Sequence, residues 1–183
     1  MAEMAKQKEK ELVNPTGTRG KLIVIEGLDR AGKSTQAEML VKSLKEEIGE
    51  DRVTHMRFPN RETATGQLIN QYLSGAAEQH DHVIHLLFSA NRWEFADAIE
   101  RLITSGTTIV IDRYIYSGAV YSAAKLNPSL PLSWAAAPDI GLPRPDLCLF
   151  LDLSTAEAQA RGGYGGERYE RREMQERVRA GFK

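Results

Sequence analysis

Gly27-Leu28-Asp29-Arg30-Ala31-Gly32-Lys33-Ser34 is the stretch whose residue types and spacing could do chemistry. It fits G-x-x-x-x-G-K-[ST], a phosphate-binding loop. The two glycines let the backbone curl so that successive N–H groups point into one concave nest, which attracts an anion. Lys33 is placed to reach terminal phosphates as an exposed contact, and the Ser34 hydroxyl is of the type that ligates Mg²⁺. Asp29 and Arg30 set an acid and a base side by side inside the loop. The bland alternatives are a glycine-rich turn that binds nothing and a surface ion pair worth little.

Such a loop works only between a strand and a helix. Lys21–Glu26 (KLIVIE) is a short β-branched apolar run, and Thr35–Ile48 is an amphipathic helix former whose N-terminal dipole adds to the same spot. Val53–Phe58 reads as a second strand, stopped by Pro59 so that Arg61 projects into a loop. Gly66–Leu73 is a short helix, and Asp81–Ser105 one long helix with Asp81 as N-cap and Gly106 as stop. Thr107–Ile111 is a strand ending at Asp112-Arg113-Tyr114. Ser117–Lys125 and Leu132–Ala137 look helical, within a proline-rich region, Asn127–Pro145, that is mostly loop. Leu147–Leu153 is expected to be a buried strand, followed by helix Ala156–Arg161, the glycine-rich Gly162–Gly166 and a charged helix from about Glu170.

Strands alternating with helices predict an α/β fold: a three-layer parallel β-sheet flanked by helices, with right-handed crossovers. Ligands collect at the carboxyl ends of such strands. The phosphate loop, Arg61 and Asp112-Arg113 therefore converge on one edge.

Composition bounds the function classes. The 183 residues suffice for one domain with a full core, and 42% hydrophobic with 27% charged residues is ordinary for a soluble globular protein. A net charge of −1 gives no global basic field for nucleic acid, and no apolar run approaches membrane-spanning length. The single cysteine, Cys148, lies in an apolar stretch and is expected to be a buried, inert thiol; one cysteine excludes an intramolecular disulfide. Residues 1–20 are charged, end in Pro15, Gly17 and Gly20, lack a secretory apolar region and mix glutamate with lysine unlike a mitochondrial presequence. They are expected to be a flexible extension of a domain spanning 21–183, in the cytoplasm and also compatible with the nucleus.

Neither a D-x-x-G downstream of the loop nor an N-K-x-D guanine reader occurs, which counts against a switch GTPase. Arg61 and Arg113 instead form a second anion site, unless they are solvated surface charges. Phe88 and Arg92, four apart in HLLFSANRWE, share a helix face that could stack a base and hydrogen-bond its edge. Phe88 in the core with Arg92 snorkelling is the alternative. His80, His82 and His85 lack the cysteine or clustered carboxylates of a zinc site.

GLDRAGKSTQ, FPNR, HLLFSANRWE, DRYIYSGAVY, GLPRPDLCLFLDL and RGGYGGERYE occur in that order. Together they resemble the thymidylate kinases of the eukaryotic kind, from Lys21 to about Phe182. The resemblance implies a nucleoside-monophosphate kinase-like P-loop fold and a homodimer, with MgATP and dTMP converted to ADP and dTDP and with no nucleic-acid or membrane partner. It implies that Phe88 stacks on thymine, Arg92 binds its polar edge, and Arg61 and Arg113 hold the dTMP phosphate. Asp29 and Tyr121 would lie near the deoxyribose, with Phe58, Ser117, Gly118 and Tyr169 also lining the dTMP site. Gly27, Asp29, Ala31, Gly32, Lys33, Ser34 and Thr35 would surround the ATP phosphates. Arg30 would clamp the transferring phosphate, and Asp112 would sit with Ser34 near Mg²⁺. Gly162–Tyr169 would be a lid flanked by Arg161 and Arg168. Asn60 departs from the family pattern. The chain also stops at Lys183 where family members continue through a further strand and helix with an adenine-contacting loop, so that part of the family fold is expected to lie outside this sequence.

The acceptor is a phosphate oxygen already mostly ionised at neutral pH, its second pKa being about 6, so no general base is required. Transfer then depends on positioning and charge neutralisation. The competing readings are another P-loop kinase of a deoxynucleoside or small phosphorylated acceptor, and a nucleotide-binding switch without transfer.

Overall fold

Alternating apolar residues decide how the first strand is covered. In β1, Leu22–Gly27, Leu22 and Val24 face a cluster with Ile99, Ile103 and Phe58, whereas Ile23 and Ile25 face Ala37, Leu40 and Leu44. A strand apolar on both faces must be sandwiched between helices. The computed structural model describes residues 17–161 and 166–183.

The remaining elements follow in alternation: α1 (Lys33–Ile48), β2 (Val53–Arg57), α2 (Ala64–Leu73), α3 (Asp81–Trp93), α4 (Ala96–Thr104), β3 (Thr108–Asp112), α5 (Ile115–Ala123), α6 (Leu132–Ala136), β4 (Leu147–Leu151), α7 (Thr155–Ala160) and α8 (Arg172–Phe182). The four strands form one sheet in the order β2-β3-β1-β4, all parallel. Register pairs Ile25 with Asp112 and Arg57 with Asp112, so three strands end level at one edge. α1 covers one face and α4 the other, giving the three layers expected. No described helix is long and apolar enough to cross a membrane.

Four expectations are corrected. The long helix of Asp81–Ser105 is two helices, broken at Glu94-Phe95. The break lets α4 bury Ile99 and Ile103 on the sheet while α3 turns its own face elsewhere, and Phe95 fills the bend against Phe58 at 5.7 Å. The N-cap is His80 rather than Asp81, whose carboxylate instead accepts from Lys125 at 2.9 Å and Asn127 at 3.0 Å. β4 is not a buried strand. Among the described residues it pairs with β1 alone and ends the sheet, leaving Leu147 48% exposed. Cys148 is likewise exposed there, and its thiol is pushed up to about 11, by desolvation first and then by the Glu26 carboxylate, which keeps it inert.

Of the amino-terminal extension, residues 1–16 lie outside the described residues. Gly20 is buried, its N–H donating to Ile103 O at 2.8 Å, and Arg19 pairs with Asp146 at 2.7 Å.

Candidate active site

The phosphate loop connects β1 to α1 through three left-handed residues, Gly27 (φ 147°), Arg30 (φ 65°) and Gly32 (φ 90°). A Cβ on Gly27 would lie 2.7 Å from Leu151 O, so only glycine lets β4 approach here. Leu28 and Ala31 anchor the loop in a cluster with Val120, Met174 and Val178. Gly32, Lys33, Ser34 and Thr35 face a cavity of about 580 Å³, which Gly27 and Ala31 do not line.

Lys33 is buried, at 6% exposed, rather than the exposed contact expected from sequence. Its Nζ donates to Leu28 O at 2.5 Å, folding the side chain back across the loop. Burial pulls its pKa down to about 7; Arg113 adds repulsion, and Asp29, Asp112 and Glu26 oppose both.

Asp112, at the end of β3, accepts from Ser34 Oγ at 2.6 Å through Oδ2. The same oxygen lies 3.6 Å from Arg57, a cavity residue that sequence reading missed. Asp112 Oδ1 is buried with no hydrogen-bond partner among the described residues. A hydroxyl beside a carboxylate with a spare oxygen is a hard-donor pair of the kind Mg²⁺ takes.

Asp29 is the node of the site. Arg113 Nη2 donates to its Oδ1, Tyr121 OH to Oδ2 at 3.1 Å, and Gln175 Nε2 to Oδ2 at 2.7 Å. Burial works against its ionised carboxyl, but Arg113, Lys33 and the bonds from Tyr121 and Gln175 outweigh it and hold the group below the usual carboxylate range. Arg113 has φ 67° and also donates to Gly27 O and Ser117 Oγ, each at 3.1 Å. Its guanidinium lies 5.1 Å from the Tyr121 ring centre.

Behind this layer stands Glu26, 1% exposed and unmarked by any sequence motif. It accepts from the Tyr114 N–H at 2.9 Å, the Ser117 N–H at 3.1 Å and the Ser117 hydroxyl, an acid at the N-terminus of α5.

The other end of the cavity is aromatic. Phe88 lines it while packing on Ile69, Leu73 and Ile84. Phe58 also lines it but is mostly core, 3% exposed and 5.9 Å from Tyr114. Arg92 does not snorkel. It is 2% exposed, with Nε and Nη2 donating to Asp139 at 3.1 and 2.7 Å. A Cβ on Gly118 would lie 2.5 Å from Arg92 Nη2, so α5 needs glycine where the guanidinium crosses it.

Arg61 opens into the same cavity and donates to Asn70 at 2.8 Å and Glu167 at 2.6 Å. Arg30 donates to Glu170 at 3.1 Å, and Arg161 reaches over the loop to Arg30 O at 2.9 Å. Tyr169 stacks obliquely on Tyr121 at 5.7 Å. Gly162–Gly165 of the expected lid lie outside the described residues. Arg168 does not join the site: it donates to Tyr72 O at 2.9 Å and pairs with Glu78 at 2.7 Å, its guanidinium 4.1 Å from the Tyr72 ring centre. His80 and His82 stack on each other at 5.2 Å, and His82 and His85 both pack against Trp134, at 4.7 and 5.5 Å.

A glycine loop and buried lysine at the first strand end, a Ser–Asp oxygen pair, two further arginines and an aromatic pocket in one cavity define a P-loop phosphotransferase of the nucleoside-monophosphate kinase kind. Residues 25–183 match the family model described as thymidylate kinase. The chain is 52% identical to the thymidylate kinase of Arabidopsis thaliana over 87% of its own length and 59% of that protein's. It is 50% identical to the human thymidylate kinase over 87% of its own length and 74% of that protein's. The solved thymidylate kinase of Candida albicans superposes with a TM-score of 0.81 at 43% identity, covering 90% of this chain and 76% of that one. The chain belongs to the thymidylate kinase family, transferases of nucleotide biosynthesis that phosphorylate dTMP. It spans less than two thirds of the Arabidopsis relative's length.

Proposed function

We propose that this chain moves the terminal phosphate of ATP to dTMP, giving dTDP and ADP, in the 580 Å³ cavity above the sheet edge. The observation that carries the reading is that Phe88 and Arg92 open into the same cavity as Lys33, Arg61 and Arg113, so a base, its phosphate and a second phosphate chain fit end to end.

The loop N–H groups and Lys33 hold the donor phosphates. Arg61 and Arg113 hold the acceptor phosphate, which needs no general base because it is already ionised near pH 7. As the bond from the γ-phosphorus to its bridging oxygen breaks, the acceptor oxygen closes on the same phosphorus, and Arg30 and Arg161 neutralise charge around the equatorial oxygens. Ser34 and Asp112 fit Mg²⁺, as the unpartnered Asp112 Oδ1 fits a cation; the ion, when bound, neutralises donor phosphate charge. Asp29 orders Arg113 and Tyr121 over the acceptor sugar.

A homodimer belongs to the same proposal. α3 turns Val83, Leu86 and Trp93 outward on one face, each more than 40% exposed, with Leu68 of α2 also exposed. Leu86→Glu should give monomers by light scattering if this face meets a second copy.

Coupled ADP release across nucleoside monophosphates tests the activity. Turnover should be fastest with dTMP and lost in Lys33→Ala. ADP release independent of any monophosphate would sink the phosphotransfer reading.

A further inference from the structure

Most arginines of the cavity already have work for their donors. Arg30, Arg61, Arg92 and Arg113 donate to Glu170, Glu167, Asp139 and Asp29, and Arg161 donates to the Arg30 carbonyl. Arg57 lines the same cavity and differs. Its one ion pair among the described residues sets Nε 3.6 Å from Asp112 Oδ2, too far for a hydrogen bond. A guanidinium carries five N–H donors, and here none has a hydrogen-bond acceptor among the described residues.

The root of this side chain is fixed while its head is open. Register pairs Arg57 with Asp112, and the next backbone N–H, that of Phe58, donates to Asp112 O at 3.0 Å. The side chain itself is 61% exposed at the carboxyl end of β2, where ligands of parallel sheets collect. On one side of it stands the Ser34–Asp112 pair, which marks the donor phosphates. On the other, four residues along the chain, stands Arg61, assigned to the acceptor phosphate. Arg57 therefore faces the ground between donor and acceptor.

From this placement we infer that Arg57 is a further catalytic residue, which contacts the phosphoryl group as it passes between the two nucleotides. Sheet order gives the contact a purpose. Arg161 follows the helix after β4, at one edge of the described sheet, and Arg57 ends β2 at the other. With Arg30 from the loop, the three equatorial oxygens are met from both edges, where a loose transition state spreads its charge. Arg57 gives up no proton. The electron pair of the breaking P–O bond stays on ADP, and the acceptor oxygen supplies the pair of the new one. The inference rests on the phosphotransfer reading of the cavity.

The transferring phosphoryl is present in ATP and dTDP and missing from ADP and dTMP, so calorimetry on the full chain isolates it. Arg57→Gln should bind ATP and dTDP on the order of tenfold more weakly, as for loss of a charge-assisted hydrogen bond. ADP and dTMP should bind as they do to the parent, with Mg²⁺ or with EDTA. Turnover should fall on the order of 10²-fold, and Arg57→Lys should regain part of both losses. Equal weakening of dTMP and dTDP would place Arg57 on the acceptor phosphate and overturn the inference. A loss seen only with Mg²⁺ would mean that Arg57 acts through Asp112, and would overturn it too. Parent affinities and turnover in Arg57→Gln would return the side chain to solvent. Failure of the underlying reading looks different: the parent protein itself would form no ADP when dTMP is added to ATP.

Discussion

Gln175 and Asp29 lie 146 positions apart and bond to each other twice: the Asp29 N–H donates to Gln175 Oε1 at 3.0 Å, and Gln175 Nε2 donates to Asp29 Oδ2 at 2.7 Å. The same amide group donates to Tyr169 O at 2.9 Å. One buried amide on α8 therefore latches the phosphate loop and the root of the lid segment together. Because Arg113 and Tyr121 share the Asp29 carboxylate, donor and acceptor sides of the site take their spacing from this latch.

Gln175→Leu should release it. The variant loses a hydrogen bond to a charged group and strands the Asp29 N–H, a combined cost of about 2–4 kcal/mol. Urea unfolding measures the loss, and kcat/KM for both substrates should fall together, since the loop moves relative to both. A loss confined to stability, with kcat/KM intact, would show that the loop holds its shape without α8.

The second pair is Arg92 with Asp139, both nearly fully buried and bonded side-on through two contacts. Asp139→Ala leaves the guanidinium buried without its partner and Ser89 with only the longer bond to Pro138 O, at 3.2 Å in place of 2.7 Å. Breaking such a pair typically costs about 3–5 kcal/mol. Calorimetric dTMP affinity should fall while ATP affinity holds. Equal weakening of both ligands would mean that Asp139 supports the fold alone.

These two latches mark where the sequence stops being legible. The phosphate loop, Asp112-Arg113 after a strand, and Phe88 with Arg92 on one helix turn are contiguous or periodic, so type and spacing expose them. Gln175, Glu170 and Asp139 pair with loop and helix residues 47 to 146 positions away. In their own neighbourhoods they look like ordinary surface residues. Glu26 reads as the polar end of an apolar strand until α5 is packed on it. The exposure of β4 is a property of the sheet order, since an apolar run says nothing about which strand ends the sheet. The break at Glu94-Phe95 is equally tertiary: helix propensity continues through it, and only the demands of sheet and cavity divide it. Arg168 carries the same charge as Arg161, yet the Tyr72 ring and Glu78 take it elsewhere.

Arg30 separates stability from catalysis. It holds φ 65°, a left-handed conformation that costs a non-glycine residue about 1–2 kcal/mol. Arg30→Gly relieves that strain but gives up the ion pair with Glu170, which is partly exposed and correspondingly weak. Stability by urea unfolding should therefore be unchanged or slightly higher. Turnover should fall on the order of 10²-fold, as for loss of a charge that acts mainly in the transition state. Lysine should restore only part of it, lacking the bidentate fork. If the loss appeared wholly in KM, Arg30 would be a binding residue and Arg161 the arginine to examine.

Lys33 makes a prediction about protons. Its pKa in the ligand-free protein is about 7, against 10.5 for an ordinary lysine, because burial and Arg113 outweigh the nearby carboxylates. Between those two values the unfolded chain binds the proton that the folded chain has released. Stability of the ligand-free protein should therefore rise with pH from about 7 toward 10.5 through this group, and gain nothing from it below 7. Nucleotide phosphates reverse the balance, since an anion beside Nζ favours the ammonium. At pH 8 about nine-tenths of the free protein carries a neutral Lys33, by the ordinary titration relation for a pKa near 7. Binding of ATP with Mg²⁺ should then draw close to one proton from solution. At pH 6 Lys33 is already charged, and the uptake should largely vanish. Calorimetry in buffers of different ionisation enthalpy counts these protons. Lys33→Met should lose the difference between pH 8 and pH 6, even where nucleotide still binds. The same uptake in parent and variant would place the titrating group elsewhere and return Lys33 to an ordinary, permanently charged phosphate contact.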